Sequence, residues 1–296
     1  MNDTLEQPTT VKILRATHLG LCFGVRDAIA LAQTAAQQHP VTVLGELVHN
    51  ETVLADLRAR GIRFATQPGE PTTDTVLVTA HGTSDRHREE LRASQLQVLD
   101  ATCPLVHHAH RALRKLVEDG FHPVVIGQHH HAEVRGLTGD FEGCDVVLTL
   151  EDINALQPRA RFGVISQTTQ PIARVRELVQ LLRVRFPESE IQFRDTVCQP
   201  TKQRQHAAEE LAQQCEVVVV VGGSNSNNTR ELVTTCSRRC ARVHHVQSVN
   251  DLRTDWFEGA RTIGLTAGTS TPDSTINSVE RWLQTLNSAE QPDPIP

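Results

Sequence analysis

Tyrosine is absent from this sequence, tryptophan occurs twice, and aromatic residues make up only 3% of the chain. That scarcity disfavours a protein that stacks the bases of single-stranded nucleic acid on aromatic platforms. Positive charge is also short: the net charge is −6 and no long basic run occurs, so a phosphate-backbone partner is disfavoured too. No apolar stretch approaches the ~20 residues that span a bilayer. The longest, Val217 to Val221, has the length of a strand. The opening MNDTLEQPTT is polar and lacks the basic and apolar regions of a secretory signal. Seven cysteines, an odd number in a chain of 296 residues, do not suit a secreted disulfide framework. The expected setting is a reducing cytoplasm.

What is present is an alternation. β-branched runs such as Val11–Leu14, Val41–Leu44, Thr75–Thr79, Pro123–Ile126, Asp145–Leu148, Phe162–Ile165, Glu216–Val221 and Thr262–Leu265 read as strands. Between them, Val25–Gln37, Glu51–Arg60, Pro171–Arg185, Thr201–Gln214 and Pro272–Leu286 read as helices. Such alternation implies α/β architecture with largely parallel sheets. A run such as EVVVVV, apolar on both faces, fits a sheet covered on both sides.

Three cysteines recur at strand-to-helix junctions: Cys22 in HLGLCFGVRDAI, Cys103 in DATCPLV and Cys198 in RDTVCQPTKQRQ. They stand 81 and 95 residues apart, about one small domain each. Gln97–Ala101 reads as a short buried strand before Cys103, and Pro104 suits a first helical position, with apolar residues at helical spacing until Gly120. Cys103 is therefore expected at a helix N-terminus, where unpaired N–H groups and the helix dipole favour thiolate. Three thiolates suit either a zinc site with a fourth ligand or an iron–sulfur cluster with one open iron, and spacing does not choose between them. Cys144, Cys215, Cys236 and Cys240 read as buried small hydrophobes, with Cys236 and Cys240 expected on one helix face.

Of the fifteen histidines, His49 in GELVHNETV, His81 in TAHGTS and His131 in QHHHAEVRG stand at strand ends among small polar neighbours, where a cationic pocket is plausible. His107, His108 and His110 fall on the helix after Cys103 with no constellation around them. The turns VVVGGSNSNNTREL and LTAGTSTPDSTI present backbone N–H groups with Ser226, Asn228 and Ser270 and suit an anion, two such turns fitting a diphosphate best. Both lack the P-loop lysine and the dinucleotide glycine spacing. Glu133 is the best-placed proton donor.

In this order CFGV, ELVHN, TAHGTS, DATCPLV, HAEVRG, SQTT, DTVC, NSNNT and TAGTSTPD resemble the 4-hydroxy-3-methylbut-2-enyl diphosphate reductase family (IspH/LytB), from about residue 11 to 286. The resemblance implies three small α/β domains in a trefoil arrangement around a central cavity: 22–103, 104–196, and 197–287 with 11–21, between polar tails at 1–10 and 288–296. It also implies a [4Fe–4S] cluster on Cys22, Cys103 and Cys198. His49, His81 and His131 would lie around the substrate, with Thr168 orienting Glu133. Ser226, Asn228 and Ser270 would hold the diphosphate, and Asn227 would make a weaker contact. The implied reaction is a two-electron reductive dehydroxylation giving isopentenyl and dimethylallyl diphosphate, with ferredoxin or flavodoxin as electron donor. The alternative is a divergent paralogue, or a zinc or apo protein that binds a phosphorylated ligand without redox chemistry. Two departures stand out: HAEV in place of HPEV, and Pro200 where the usual CxATxxRQ has alanine.

Overall fold

The computed structural model describes residues 10–65 and 71–287, so all but Thr10 of the two expected tails lies outside it. In chain order the elements are β1 (Lys12–Arg15), α1 (Phe23–Gln38), β2 (Val41–Leu44), α2 (Glu51–Ala59), β3 (Arg63–Ala65), β4 (Thr75–Val78), α3 (Asp85–Ala93), β5 (Gln97–Asp100) and α4 (Pro104–Glu118). They continue with β6 (His122–Ile126), α5 (Ala132–Thr138), β7 (Asp145–Val147), α6 (Leu150–Ala155), β8 (Arg161–Ser166), α7 (Ile172–Arg185), β9 (Glu190–Phe193) and α8 (Gln199–Gln214). The last are β10 (Val217–Val221), α9 (Asn227–Ser237), β11 (Arg242–Val246), β12 (Thr262–Ala267) and α10 (Asp273–Thr285).

The strands form three four-stranded sheets, all parallel: β3-β2-β4-β5, β7-β6-β8-β9 and β11-β10-β12-β1. The α/β class expected from the alternation is what the chain adopts. Each sheet has the same order, with its second strand outermost, then its first, third and fourth. In the last sheet the fourth place is taken by β1 from the chain's start, which pairs with β12 from Lys12 opposite Thr262 to Arg15 opposite Leu265. This is the physical content of the pseudo-repeat.

The chain divides into two compact units, Cys22–Lys202 on one hand and the residues before and after it on the other. The second unit is built around β10, whose five valines are all fully buried. Successive strand side chains point to opposite faces, so Val217, Val219 and Val221 pack with Ile276, Val279 and Leu283 of α10. Val218 and Val220 pack with Ala208 and Leu211 of α8 and Leu232 of α9. Each such side chain contributes about 1.5–3 kcal/mol by leaving water, which is why an unbroken valine run specifies a strand covered on both sides.

In the unit Cys22–Lys202, Val43 and Leu77 pack with Ala28, Ala32 and Ala35 of α1 and Leu54 and Leu57 of α2. In the next sheet, Val124 and Val164 pack with Val175, Leu178 and Leu182 of α7, while Val125 and Ile165 face Leu113 and Leu116 of α4. The two sheets of this unit are tied at one helix start. The Asp140 carboxylate accepts the backbone N–H groups of Asp85 and Arg86 at 2.8 and 3.0 Å, and Gly136 lies so close to the Thr83 backbone that a Cβ would sit 3.2 Å from it.

Some local expectations shift. Val98 and Leu99 are half-buried, not buried, because β5 is an edge strand. Pro272 caps α10 from outside instead of lying within it. Helix α9 ends at Ser237, so Cys240 lies beyond it and does not share a helix face with Cys236. Cys215, Cys236 and Cys240 are buried as expected, whereas Cys144 is half-buried.

Candidate active site

Function-bearing side chains recur at fixed topological places. In every sheet the loops after the first and third strands carry them, and the passage out of the fourth strand carries a cysteine. After β2 comes His49 and after β4 comes His81; after β6 come His131 and Glu133, and after β8 comes Thr168. After β10 come Ser226, Asn227 and Asn228, and after β12 comes Ser270. First and third strands are neighbours whose connections run to opposite sides, and the carboxyl ends of such a pair form the crevice where open α/β sheets bind ligands.

Cys22, Cys103 and Cys198 follow the edge strands β1, β5 and β9 and precede α1, α4 and α8. Cys22 and Cys103 are the N-cap residues of their helices, and Pro104 holds the first turn of α4. The Cys103 N–H donates to the Ala80 carbonyl at 3.1 Å and the Cys198 N–H to the Thr168 carbonyl at 2.9 Å. The backbones of Cys103 and Cys198 are thus tied to the loops after their neighbouring third strands. Gly24 lets α1 approach: a Cβ there would stand 2.5 Å from the Cys103 Sγ.

The thiolate expected at Cys103 is not what the protein alone produces. Burial pushes this thiol above its ordinary range, while the N–H groups of Leu105 and Val106 pull it down, and the charges of Cys22 and Glu133 add to the rise. The helix start acts in the expected direction and is outweighed by desolvation. Cys198 is pushed up to about 11 by burial, against hydrogen bonds from Thr201. Cys103 and Cys198, each pushed further up by the neighbouring Cys22, are thiols that a cationic centre would deprotonate on binding.

Thiolates on one zinc ion stand about 3.8 Å apart, given Zn–S bonds of about 2.3 Å. Among the described residues, the only set of three or more metal-ligating side chains drawn within 4.8 Å of one another is His49, His81 and His131, and the thiols are not in it. Three cysteine thiols at three strand-to-helix junctions are donors that suit an iron–sulfur cluster with one open iron.

The three imidazoles are gathered as the sequence suggests. His49 stacks on His81 with ring centroids 4.3 Å apart, and His131 stands edge-on to both at 5.1 and 5.3 Å. Spacing of this kind could hold a metal ion, but the hydrogen bonds argue otherwise. His131 caps α5, its Nδ1 accepting the Glu133 N–H at 3.1 Å, which leaves its proton on Nε2 and its lone pair spent. Burial pushes His81 well below the usual imidazole range, with His49 and His131 adding to the shift, so this ring is neutral. The triad offers hydrogen bonds to a ligand more readily than lone pairs to a metal.

Glu133 is not the surface residue a glutamate usually is: it is only 2% exposed. Its Oε1 accepts the Thr168 N–H at 2.7 Å and its Oε2 accepts the Thr168 hydroxyl at 3.0 Å. Burial pushes the carboxyl up to about 7 against both bonds, which favour the carboxylate. Such a group holds and releases a proton near neutrality. Thr168 therefore clamps Glu133 through its N–H and hydroxyl and Cys198 through its carbonyl.

Ser226, Asn227, Asn228 and Ser270 lie in the other unit, each less than 5% exposed. Ser226 caps α9, its hydroxyl accepting the Thr229 N–H at 3.3 Å. The Asn228 Oδ1 accepts the Thr269 N–H at 3.0 Å and so joins the two turns, while its Nδ2 has no protein partner among the described residues. Glycine is required at both turns: a Cβ would stand 2.4 Å from the Thr229 hydroxyl oxygen at Gly222 and 2.1 Å at Gly268. A buried amide N–H₂ beside two glycine turns suits an anionic ligand.

Both departures fall in first helical turns. Ala132 opens α5, where proline would fix the same φ, and the His131 cap is kept without it. Pro200 is the second residue of α8, where no N–H is needed for the helix. Sequence reasoning passed over Glu46, whose carboxylate accepts from His49 Nδ1 at 2.8 Å, although the i,i+3 spacing from His49 was a signal. It also passed over Gln167, fully buried, which accepts from Gln128 N–H and braces the Thr168 loop.

Comparison with known proteins gives the family of the chain. The family model described as LytB protein matches residues 13–284. The 4-hydroxy-3-methylbut-2-enyl diphosphate reductase of Aquifex aeolicus is 35% identical, with 93% of this chain and 97% of that protein covered. That of Acidithiobacillus ferrooxidans is 37% identical, covering 90% and 87%. Among solved structures, the E-1-hydroxy-2-methyl-but-2-enyl-4-diphosphate reductase from Plasmodium falciparum superposes with a TM-score of 0.86 at 27% identity, covering 93% and 88%. A structure of (E)-4-hydroxy-3-methyl-but-2-enyl diphosphate reductase, the terminal enzyme of the non-mevalonate pathway, has a TM-score of 0.67 at 35% identity, covering 93% and 99%. This chain belongs to the LytB family.

Proposed function

We propose that this chain is a 4-hydroxy-3-methylbut-2-enyl diphosphate reductase, an oxidoreductase of the non-mevalonate isoprenoid pathway. It removes the allylic hydroxyl of its substrate with two electrons and two protons, leaving isopentenyl or dimethylallyl diphosphate and water. The observation that carries the reading is the clamp at Thr168, which holds a buried acid of pKa about 7 and the backbone of a junction cysteine in one peptide.

Cys22, Cys103 and Cys198 would hold a [4Fe–4S] cluster with one iron free of protein ligands. When bound, the cluster supplies one electron at a time and Lewis acidity at that iron. Glu133 holds the proton at its carboxyl and releases it toward the departing hydroxyl. The Thr168 hydroxyl fixes the carboxyl's direction. His49, His81 and His131 surround the substrate with ring N–H groups. Ser226, Asn228 and Ser270 hold its diphosphate through hydroxyl and amide groups, with Asn227 a weaker contact, and this anchoring positions the hydroxyl for reaction. The same reading divides the chain into domains 22–103, 104–196, and 197–287 with 11–21. It places the protein in the cytoplasm and assigns ferredoxin or flavodoxin as electron donor. No helix among the described residues is long and apolar enough to cross a membrane.

Anaerobic incubation of the reconstituted protein with the substrate and reduced methyl viologen tests this. Isopentenyl and dimethylallyl diphosphate should accumulate. Failure to consume the substrate by a protein carrying a full cluster would overturn the reading.

A further inference from the structure

The three junction cysteines open their helices alike but are followed by different residues. Three places on stand Val25 after Cys22, Val106 after Cys103 and Thr201 after Cys198. Valine and threonine have nearly the same shape, and threonine adds a hydroxyl. Burying a hydroxyl costs free energy unless it is hydrogen-bonded, and Thr201 is fully buried. A helical threonine commonly satisfies its hydroxyl on a backbone carbonyl one turn back. Here the hydroxyl turns instead to the Cys198 Sγ at 3.1 Å, its only partner among the described residues.

The backbone raises the weight of this contact. Against burial, the Cys103 thiol is drawn toward its thiolate by the N–H groups of Leu105 and Val106, two and three residues on. The same places after Cys198 hold Pro200, which has no N–H, and Thr201. Burial raises the Cys198 thiol, and the Thr201 hydroxyl and then the Thr201 N–H oppose it. One residue thus supplies at Cys198 what two supply at Cys103. In the free thiol the S–H donates to the hydroxyl oxygen. Once the sulfur has given up its proton on binding a metal centre, only the hydroxyl has a proton to give, and the bond turns round.

We infer that Thr201 sets the reduction potential of the bound cluster: its hydroxyl donates to the Cys198 thiolate and makes the cluster easier to reduce. The inference rests on the reading of Cys22, Cys103 and Cys198 as ligands of an iron–sulfur cluster. Reduction adds negative charge that spreads onto the ligand sulfurs, so a donor there stabilises the reduced form more than the oxidised one.

The test is a redox titration of the anaerobically reconstituted full-length protein, followed by electron paramagnetic resonance of the reduced cluster. Thr201→Val keeps the shape and removes the hydroxyl. It should make reduction about tenfold less favourable, a downward shift of about 59 mV for one electron. That is the lower end of what a hydrogen bond to a charged group is worth, because the bond exists in both states and only its strengthening counts. Thr201→Ser should stay close to the wild type. The potential is read only from protein that holds a cluster, so a variant that loads poorly still reports. Wild-type potential in Thr201→Val, or an equal fall in Thr201→Ser, would overturn the inference. So would failure of Thr201→Val and Thr201→Ala alike to hold any cluster, which would make the residue's role structural. A wild type that takes up no cluster would sink the cluster reading and this inference together. The expected shift in a protein that holds a cluster yet leaves the substrate unreduced would sink only the reductase reading.

Discussion

The two units of this protein use one topology for two kinds of chemistry. In Cys22–Lys202, the loops after first and third strands carry His49, His81, His131 and Glu133, all titratable, with Thr168 as clamp. In the other unit the same places carry only hydroxyls and amides, Ser226, Asn227, Asn228 and Ser270, set by close-packed glycines. The sheet order is identical, so the backbone supplies the place, and side-chain type decides whether that place moves protons or holds an anion. One unit should therefore answer to pH and the other should not.

The sharpest way to break this contrast is Glu133→Gln, which keeps the shape and removes the proton. It should lower kcat by about 10²–10⁴, the usual worth of a positioned general acid. In the wild type, kcat should fall as pH rises through about 7, since the acid form is the one required. Stability carries the same sign. The folded pKa lies above the ordinary carboxyl value of 4.5, so the acid form's stabilisation is complete below that value and is lost as pH rises through about 7. Melting curves at pH 5 and pH 9 should show the wild type losing more stability than Glu133→Gln.

A smaller effect is expected at Thr168. Thr168→Val removes the hydroxyl bond but keeps the N–H bond, and kcat should drop about tenfold, the worth of one hydrogen bond to a charged group. That bond favours the carboxylate, so its loss should move the alkaline limb of the pH–rate profile upward. The smallest effect should come from the other unit. Asn228→Ala should raise KM several-fold, about 1 kcal/mol of binding, with kcat nearly kept and the pH profile unmoved. A shifted pH profile in that variant would erase the distinction between the units.

How much of this was legible in the sequence depends on burial. The interior strands β2, β4, β6, β8, β10 and β12 announce themselves because both faces are apolar, as in the fully buried Val217–Val221. The outer strands β3, β9 and β11 do not, being half-exposed and only three to five residues long. The cysteine junctions were readable from helix-start signals such as Pro104. The direction of the Cys103 pKa was not, because desolvation comes from distant chain that local spacing does not report. Likewise Glu133 looks like any glutamate next to a helix start, and its acid character comes from burial in the folded chain, which outweighs the two bonds from Thr168, 35 residues away. Membership of a site could be read from short motifs, whereas the chemistry of each member needed the fold.

The central claim is that the three junction thiols hold a polynuclear iron–sulfur centre. It is tested most directly by anaerobic iron and sulfide analysis of the wild type beside Cys103→Ser. The account predicts about four irons and four sulfides per chain in the wild type and loss of both in the variant. Stoichiometric zinc, or no iron after anaerobic reconstitution, would contradict it.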